Sequence, residues 1–421
     1  MAPDRVSLGR LWALMALVFA DMVGFLIILP LMPLYADRLG ASAFLIGAMV
    51  SAYAVASLAM APLWGRFSDH HGRRPALMLG VLIAAAAHLL FAFACSDFAM
   101  GILSPNALVV VLFASRLVQG AGGATTSVVQ AYVGDAIVPE ERAKALGWIT
   151  AATSAGVMLG PAIGSLVAAL GPATPGLVAA GLCVLNILFA WKWLPESHHD
   201  RAHATGAPGE APRPSLRRKF WAIASEPTSP VARLVWIYAI AMMGFMAMNA
   251  ILALFLNKRF GVTQSSIGYF YTYIGTISLV MRSLILGPTV RRFGETRVLK
   301  MGLVALALGF ALQPLAPSIP VFACVVLFIP VGTALLFPAT TSLVTRFASR
   351  TDLGATMGVQ QTFGGVARLL GPLWAGAAFQ YWGSGAPFWI AAVLTAGTLV
   401  FANGLRAVEP VSAAPSPEPA G

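Results

Sequence analysis

Residues 65–75 read Gly65-Arg66-Phe67-Ser68-Asp69-His70-His71-Gly72-Arg73-Arg74-Pro75. The runs on either side, 42–64 and 76–95, are apolar and nearly uncharged. Each is long enough to cross the hydrocarbon core of a bilayer as a helix, which takes about 20 residues. A short basic segment between two such runs predicts a membrane hairpin, with Gly65 and Gly72 allowing a tight reversal. The acid followed by two arginines has two readings. The arginines can mark a loop on the positive side of the membrane. Alternatively Asp69, Arg73 and Arg74 latch neighbouring helix ends through charge-assisted hydrogen bonds and the helix dipole; the Gly-x3-Asp-x2-Gly frame belongs to that reading.

Outward from this hairpin, apolar runs of spanning length recur along the chain. They cover 11–35, 42–64, 76–95, 107–133, 144–169, 174–194, 233–256, 265–286, 298–314, 320–345, 354–380 and 386–405, twelve in all. The composition agrees: hydrophobic residues make up 58%, charged residues 10%, and mean hydropathy is +0.80. A soluble domain carries about 25% charge, so this chain lacks the polar residues to cover a core of its size. An all-α membrane protein is expected. The expected division is 1–194 as one six-helix bundle, 195–232 as a linker at the membrane surface, 233–406 as a second bundle and 407–421 as a disordered tail.

Net charge is +11, but position matters more than the total. With the N-terminus in the cytoplasm, twenty-one of the 27 Lys and Arg fall in cytoplasmic segments, three in outer loops and three inside spans. The positive-inside rule then puts both termini in the cytoplasm and explains the basic balance without a nucleic-acid partner. Cys95, Cys183 and Cys324 each sit in an apolar run, so no disulfide framework or metal site is indicated. His198, His199 and His203 read as part of a solvated linker. No cofactor motif and no Walker A pattern occurs.

The two halves repeat each other. Leu39-Gly40 and Ile46-Gly47 return as Phe260-Gly261 and Ile267-Gly268, offset by 221 residues. Gly65 and Gly72 return as Gly287 and Gly294, offset by 222. Ala124 to Ser127 returns as Ala339 to Ser342, offset by 215, and Gly147 with Gly160-Pro161 as Gly358 with Gly371-Pro372, offset by 211. Six spans per repeat give both halves one orientation, the arrangement of transporters that rock about a midplane site. An enzyme would need a clustered nucleophile or metal set at one depth, and a receptor would not need this duplication. Neither reading is supported.

Four motifs make a resemblance specific. The Gly65–Arg74 segment resembles the signature loop of the major facilitator superfamily. Asp21, Gly24, Pro30 and Pro33 resemble the first-span motif of its drug/proton antiporters. Arg116-x-x-Gln119-Gly120 resembles the fourth-span motif implicated in proton transfer, and Gly156-x3-Gly160-Pro161-x2-Gly164 the fifth-span antiporter motif. Leu194-Pro195-Glu196-Ser197-His198 adds a likeness to the tetracycline efflux subgroup, from which the chain departs at Ala86-Ala87-His88, near Ser278 and near Leu306. The resemblance implies a major facilitator fold of twelve transmembrane helices in two six-helix repeats. It further implies a monomer-competent antiporter of the cytoplasmic membrane that exports small amphiphilic molecules for protons. A proton symporter or uniporter of an organic anion is the alternative.

Asp21 is the one carboxylate well inside a span, where a charge costs ~3 kcal/mol or more unless it faces a cavity or partner. It reads as a proton switch or as a fixed partner of Arg116. Asp135, ending span four, is placed to pair with Arg73. The spacing of Gly156, Gly160 and Gly164 puts small residues on one helix face for close packing, either static or as a seal between the halves. Substrate-pocket candidates are Asn249, Tyr273, Arg282, Gln360, Gln361 and Arg368. The intramembrane arginines Arg116, Arg282 and Arg368 outnumber Asp21, which favours anionic or zwitterionic ligands.

Overall fold

A computed structural model describes residues 8–123, 125–196, 216–226, 228–349 and 352–405. The histidines of the linker, the tail 407–421 and the side chains of Ala124 to Ser127 lie outside the described residues. Every regular element among those described is helical. We number the spanning elements α1 (Leu8–Ile28, continued by Met32–Arg38), α2 (Ala43–His71), α3 (Arg73–Ala94), α4 (Pro105–Gly122 with Thr125–Ala136), α5 (Pro139–Ala168) and α6 (Thr174–Trp193). The second set is α7 (Pro230–Phe260), α8 (Gln264–Val280, then a π turn Met281–Ile285 and Leu286–Phe293) and α9 (Glu295–Leu312). It ends with α10 (Ile319–Val326 with Phe328–Phe347), α11 (Leu353–Trp382) and α12 (Ala386–Gly397 with Leu399–Asn403).

Helix starts follow local chemistry. The Ser42 hydroxyl accepts from the Leu45 amide and the Ser104 hydroxyl from the Ala107 amide, each satisfying one of the orphan amides of a first turn. Pro105 follows directly, where its missing N–H costs nothing. Every positive-φ residue among those described is glycine, and the six form three repeat-related pairs: Gly40 with Gly261, Gly72 with Gly294, and Gly171 with Gly383. The duplication is therefore written into the turns as well as the spans.

Among the described residues, eleven helices are long and apolar enough to cross a membrane. The remaining element, α11, has the length at 30 residues but carries Gln360, Gln361, Arg368 and Gln380, which lower its hydropathy. Its second half is packed against protein, described below, which removes the need for an all-apolar surface. The expected hairpin also differs in detail. α2 stays helical through Gly65 to His71, and α3 begins at Arg73, so Gly72 alone, at φ +97°, makes the reversal. A Cβ at Gly65 would meet open space; that glycine is not required by the turn.

The chain forms two compact units. The first comprises 1–213 with 245–276 and 368–387; the second comprises 214–244, 277–367 and 388–421. In the first, α1 packs on α5 and α6, and α3 on α4 and α6. A core of Leu14, Leu17, Trp64, Leu77, Tyr132 and Leu194 fills the end nearest Gly72. In the second unit α9 lies along α10. The short helix Leu216–Ser225 packs there through Phe220 on Phe363 and through Ile223, whose carbonyl accepts from Trp236.

Candidate functional site

The first unit holds a buried polar centre. Arg116 and Gln119 lie one turn apart on α4 and are 1% and 5% exposed. Arg116 Nη1 donates to Gln119 Oε1. The guanidinium also sits over two rings, 5.9 Å from the Phe25 centroid and 5.8 Å from that of Tyr53, a placement that offsets part of its desolvation. Gly120 explains how α4 comes so near α2: a Cβ there would stand 2.9 Å from the Ala56 Cβ and 3.0 Å from the Tyr53 carbonyl carbon. Gly120 thus works with Arg116 and Gln119 by bringing Tyr53 under the guanidinium. Asp21 is half-buried on α1, and Tyr53 lies within electrostatic reach of Asp21, Arg116 and Arg368.

The glycines of α5 serve this centre indirectly. A Cβ at Gly156 would be 2.7 Å from the Met22 Cβ, one at Gly160 2.7 Å from the Leu26 Cβ, and one at Gly164 3.0 Å from the Ile27 Cα. All three face α1 of the same repeat, around Asp21, so this stripe fixes the helix that bears the acid. The contact with the other repeat comes from Pro161 instead.

That contact closes the end of the first unit opposite Gly72. The Pro161 carbonyl presses on Gly268 of α8, where a Cβ would also lie 2.6 Å from Ser165 Oγ. Ser165 Oγ donates to the Gln264 carbonyl and accepts from the Gly268 amide, both at 2.7 Å. The repeat-related contact is present too. The Pro372 carbonyl of α11 presses on Gly47 of α2, and Gly376 of α11 meets Ala43 and Phe44. The Ser51 hydroxyl donates to the Leu369 carbonyl at 2.7 Å, beside Arg368. Gly47 and Gly268, read from the sequence only as repeat markers, are sockets for two proline carbonyls.

At the Gly72 end lies an ion-paired corner. Arg73 donates through Nε to Asp135 at 2.9 Å and through Nη1 to Asp69 at 2.6 Å and Ser68 Oγ at 2.7 Å. Asp69 is mostly exposed and Asp135 mostly buried, so the Asp135 arm is the stronger of the two. Arg74 points elsewhere, to the Trp191 carbonyl. Glu196 completes the end: its carboxylate accepts from the Arg73 amide at 2.9 Å and the Arg74 amide at 3.1 Å. This is an anionic cap on the first turn of α3. Gly72 is needed twice here, for its φ and because a Cβ would be 2.8 Å from the Glu196 carboxyl carbon. The sequence did not join Glu196 to Arg73 and Arg74; its position in Leu194–His198 was the available signal.

The second repeat builds the same corner with opposite charge. Glu295, offset by 222 from Arg73, takes Arg346 at 3.0 Å, offset by 211 from Asp135. Ser342 Oγ donates to Glu295 at 2.8 Å. Arg291 stands where the first repeat has Asp69.

The pocket candidates are divided between the units. Asn249, Tyr273 and Arg368 belong to the first and Arg282, Gln360 and Gln361 to the second. Asn249 Nδ2 donates to the Phe245 carbonyl at 2.8 Å, and its own carbonyl accepts from the Tyr271 hydroxyl at 3.0 Å. Tyr273 is exposed and Arg368 half-buried. Arg282 is exposed on the π turn of α8, Gln361 is exposed, and Gln360 is fully buried against Thr341.

A duplicated six-helix unit with a buried arginine centre, proline-closed at one end and ion-paired at the other, defines a multi-pass membrane transporter. Residues 14–329 and, again, 234–421 match the Major Facilitator Superfamily, and the chain belongs to that family. It is 26% identical over 375 residues to multidrug resistance protein 2 of Bacillus subtilis (strain 168), covering 87% of this chain and 88% of that one. It is 27% identical over 374 residues to the class C tetracycline resistance protein of Escherichia coli, covering 87% and 89%. Its fold matches the crystal structure of the human organic anion transporter MFSD10 with a TM-score of 0.64 over 94% of this chain and 99% of that one, at 24% identity. These relatives are transport and resistance proteins, not enzymes, and a small-molecule substrate follows from the family.

Proposed function

We propose that this protein is a secondary active transporter that exports small amphiphilic compounds in exchange for protons by alternating access. It sits in the cytoplasmic membrane with both termini inside and works as a monomer. The moving bodies are 1–194 and 233–406, joined by 195–232. The observation that carries this reading is the buried centre, in which the fully buried Arg116 donates to Gln119 and lies over the rings of Tyr53 and Phe25, the latter one turn from the intramembrane acid Asp21. The names of the multidrug and tetracycline resistance relatives support export.

In this reading Asp21 exchanges its proton. Arg116 and Gln119 set the field that favours release, and substrate or a conformational change supplies the opposing influence. The latch of Asp69, Arg73, Arg74 and Asp135 with Gly65 and Gly72, and the α5 motif of Gly156, Gly160, Pro161 and Gly164, bias the two states. Asn249, Tyr273, Arg282, Gln360, Gln361 and Arg368 are the candidate substrate contacts. The excess of intramembrane arginine favours anionic or zwitterionic substrates, and the same excess supports proton symport or uniport of an organic anion as a second reading.

Inside-out vesicles with a respiration-driven proton gradient test both readings against tetracyclines, lipophilic cations and organic anions. Substrate-induced proton release that disappears in Asp21→Asn is the expected result. Undiminished release in Asp21→Asn refutes the role of the acid, and anion uptake without proton release moves the assignment to uniport.

A further inference from the structure

Two buried polar atoms in the first unit have no hydrogen-bond partner among the described residues and are chemically complementary. Arg116 Nε is an obligate donor. His88 Nδ1 is an acceptor in the tautomer that carries its proton on Nε2. His88 on α3 is 2% exposed; α3 packs along α4, which carries Arg116, closely enough that a Cβ on Gly122 would lie 3.2 Å from the Ala84 amide nitrogen, and the guanidinium acts on the imidazole electrostatically. Its Nε2 lies 3.6 Å from where a Cβ on Gly24 would stand, and Gly24 is one helical turn from Asp21. The titratable groups facing this cluster are Asp21 from α1, Tyr53 from α2, Arg116 from α4, Cys183 from α6 and Arg368 from α11. The face that α5 turns to α1 here is glycine and carries none.

Buried polar atoms are rarely left unpaired in native proteins, so each such atom needs an explanation. A buried guanidinium needs one most, because its charge cannot be shed at any physiological pH. Asp21 and Arg116 both act on Tyr53, so a proton taken up by Asp21 during transport changes the charge around the ring on which the guanidinium rests. Gln119 already holds Nη1, which leaves Nε as the donor that can turn to a new acceptor.

We propose that His88 is the second seat of Arg116: when Asp21 is protonated, the guanidinium turns and donates its Nε–H to His88 Nδ1. The inference rests on the proton-exchange reading of Asp21. The only covalent change is a proton joining the Asp21 carboxylate; the imidazole stays neutral throughout and acts as an acceptor. His88 is a positioning residue, acting through Arg116. It makes the protonated state of the centre reachable without stranding a positive charge.

The test is spectroscopic and needs no knowledge of the substrate. Full-length protein labelled with 15N-histidine is placed in lipid nanodiscs, and the His88 signals are assigned by difference against His88→Gln. In the wild type the Nδ1 resonance is expected to move to a hydrogen-bonded acceptor position as pH falls. In Asp21→Asn, a permanent stand-in for the protonated acid, it should sit there at every pH. In Arg116→Gln it should never arrive. An Nδ1 signal that ignores both pH and Asp21→Asn overturns the second seat, as does one that moves equally in Arg116→Gln. If the arginine variant fails to fold, the Asp21→Asn arm decides alone. The two readings fail separately: coupled transport surviving in Asp21→Asn defeats the proton switch, whereas a silent His88 defeats only the seat.

Discussion

Gly268→Ala tests whether the proline sockets hold one end of the transporter shut. The added methyl would lie 2.7 Å from the Pro161 carbonyl carbon, 2.6 Å from Ser165 Oγ and closer still to the Pro161 oxygen. Ordinary contact begins at 3.4 Å, so α8 must retreat from α5 by at least 0.7 Å at the carbonyl carbon. Overpacking of this kind costs ~1–3 kcal/mol. The retreat also strains the two 2.7 Å bonds of Ser165, one buried hydrogen bond being worth about 1 kcal/mol. If this end opens during transport, the total of ~2–4 kcal/mol falls on the closed state, in which the contact is made. At about 1.4 kcal/mol per decade the closed population drops roughly 30- to 1,000-fold relative to the open one. Nitroxide labels at Leu170 and Ser265, both exposed at that end, would report this by pulsed electron resonance as a shift toward longer distances. A distance distribution identical to that of the glycine protein, in a sample shown to be folded, would refute the reasoning. Gly47→Ala, opposite Pro372, should act in the same direction.

Glu196→Ala removes the anionic cap of α3 and should lower thermal stability in detergent by the equivalent of ~1 kcal/mol, with Glu196→Gln losing less. Gly160→Ala crowds Leu26 and should cost ~1–3 kcal/mol, read by the same melting assay, together with weaker transport because α1 carries Asp21. Arg73→Glu or Asp135→Arg alone should destabilise the Gly72 end, while the double reversal should recover at least half of the loss. Melting curves of the four proteins form a double-mutant cycle whose coupling is expected near 1 kcal/mol.

Much of this was legible in the sequence, because the bilayer permits so few solutions. With no water to satisfy the backbone, an apolar run of spanning length must be helical, and the runs found in the sequence correspond to the helices α1–α12. The exception in hydropathy, α11, shows where that reasoning thins: a helix wrapped by protein at Gly376 and Leu369 need not look like one wrapped by lipid. Turn chemistry was harder. Gly65 and Gly72 look equivalent in the sequence, yet only Gly72 has positive φ, since helix propensity carries α2 past a glycine that meets no crowding. Partners were harder still. The glycine stripe of α5 has the right period for a helix contact, but period does not say which helix, and it proved to be α1. Ser165 bore no sequence signal at all, because its importance comes from two backbone groups of α8, 99 and 103 residues away.

The corners at Gly72 and Gly294 say something about how the repeats diverged. Three repeat-related positions have all changed sign: Asp69 to Arg291, Arg73 to Glu295 and Asp135 to Arg346. Changing any one alone would have set like charges together. The surviving pair in each copy, Arg73 with Asp135 and Glu295 with Arg346, keeps the geometry and inverts the polarity. What is preserved between the repeats is therefore the attraction that ties the start of one helix to the end of the next. The sign of each member is free provided its partner changes with it. The inversion is not symmetric in its consequences. A glutamate at the first turn of α9 is favourable to that helix by itself, whereas an arginine at the first turn of α3 is not. The first repeat therefore needs the Glu196 cap that lies over Arg73 and Arg74, while the second supplies that anion from within α9. An Arg73→Glu, Asp135→Arg protein should accordingly depend less on Glu196. Adding Glu196→Ala to it should cost less stability than adding the same change to the wild type, and an equal or greater cost would show that the cap and the ion pair are independent.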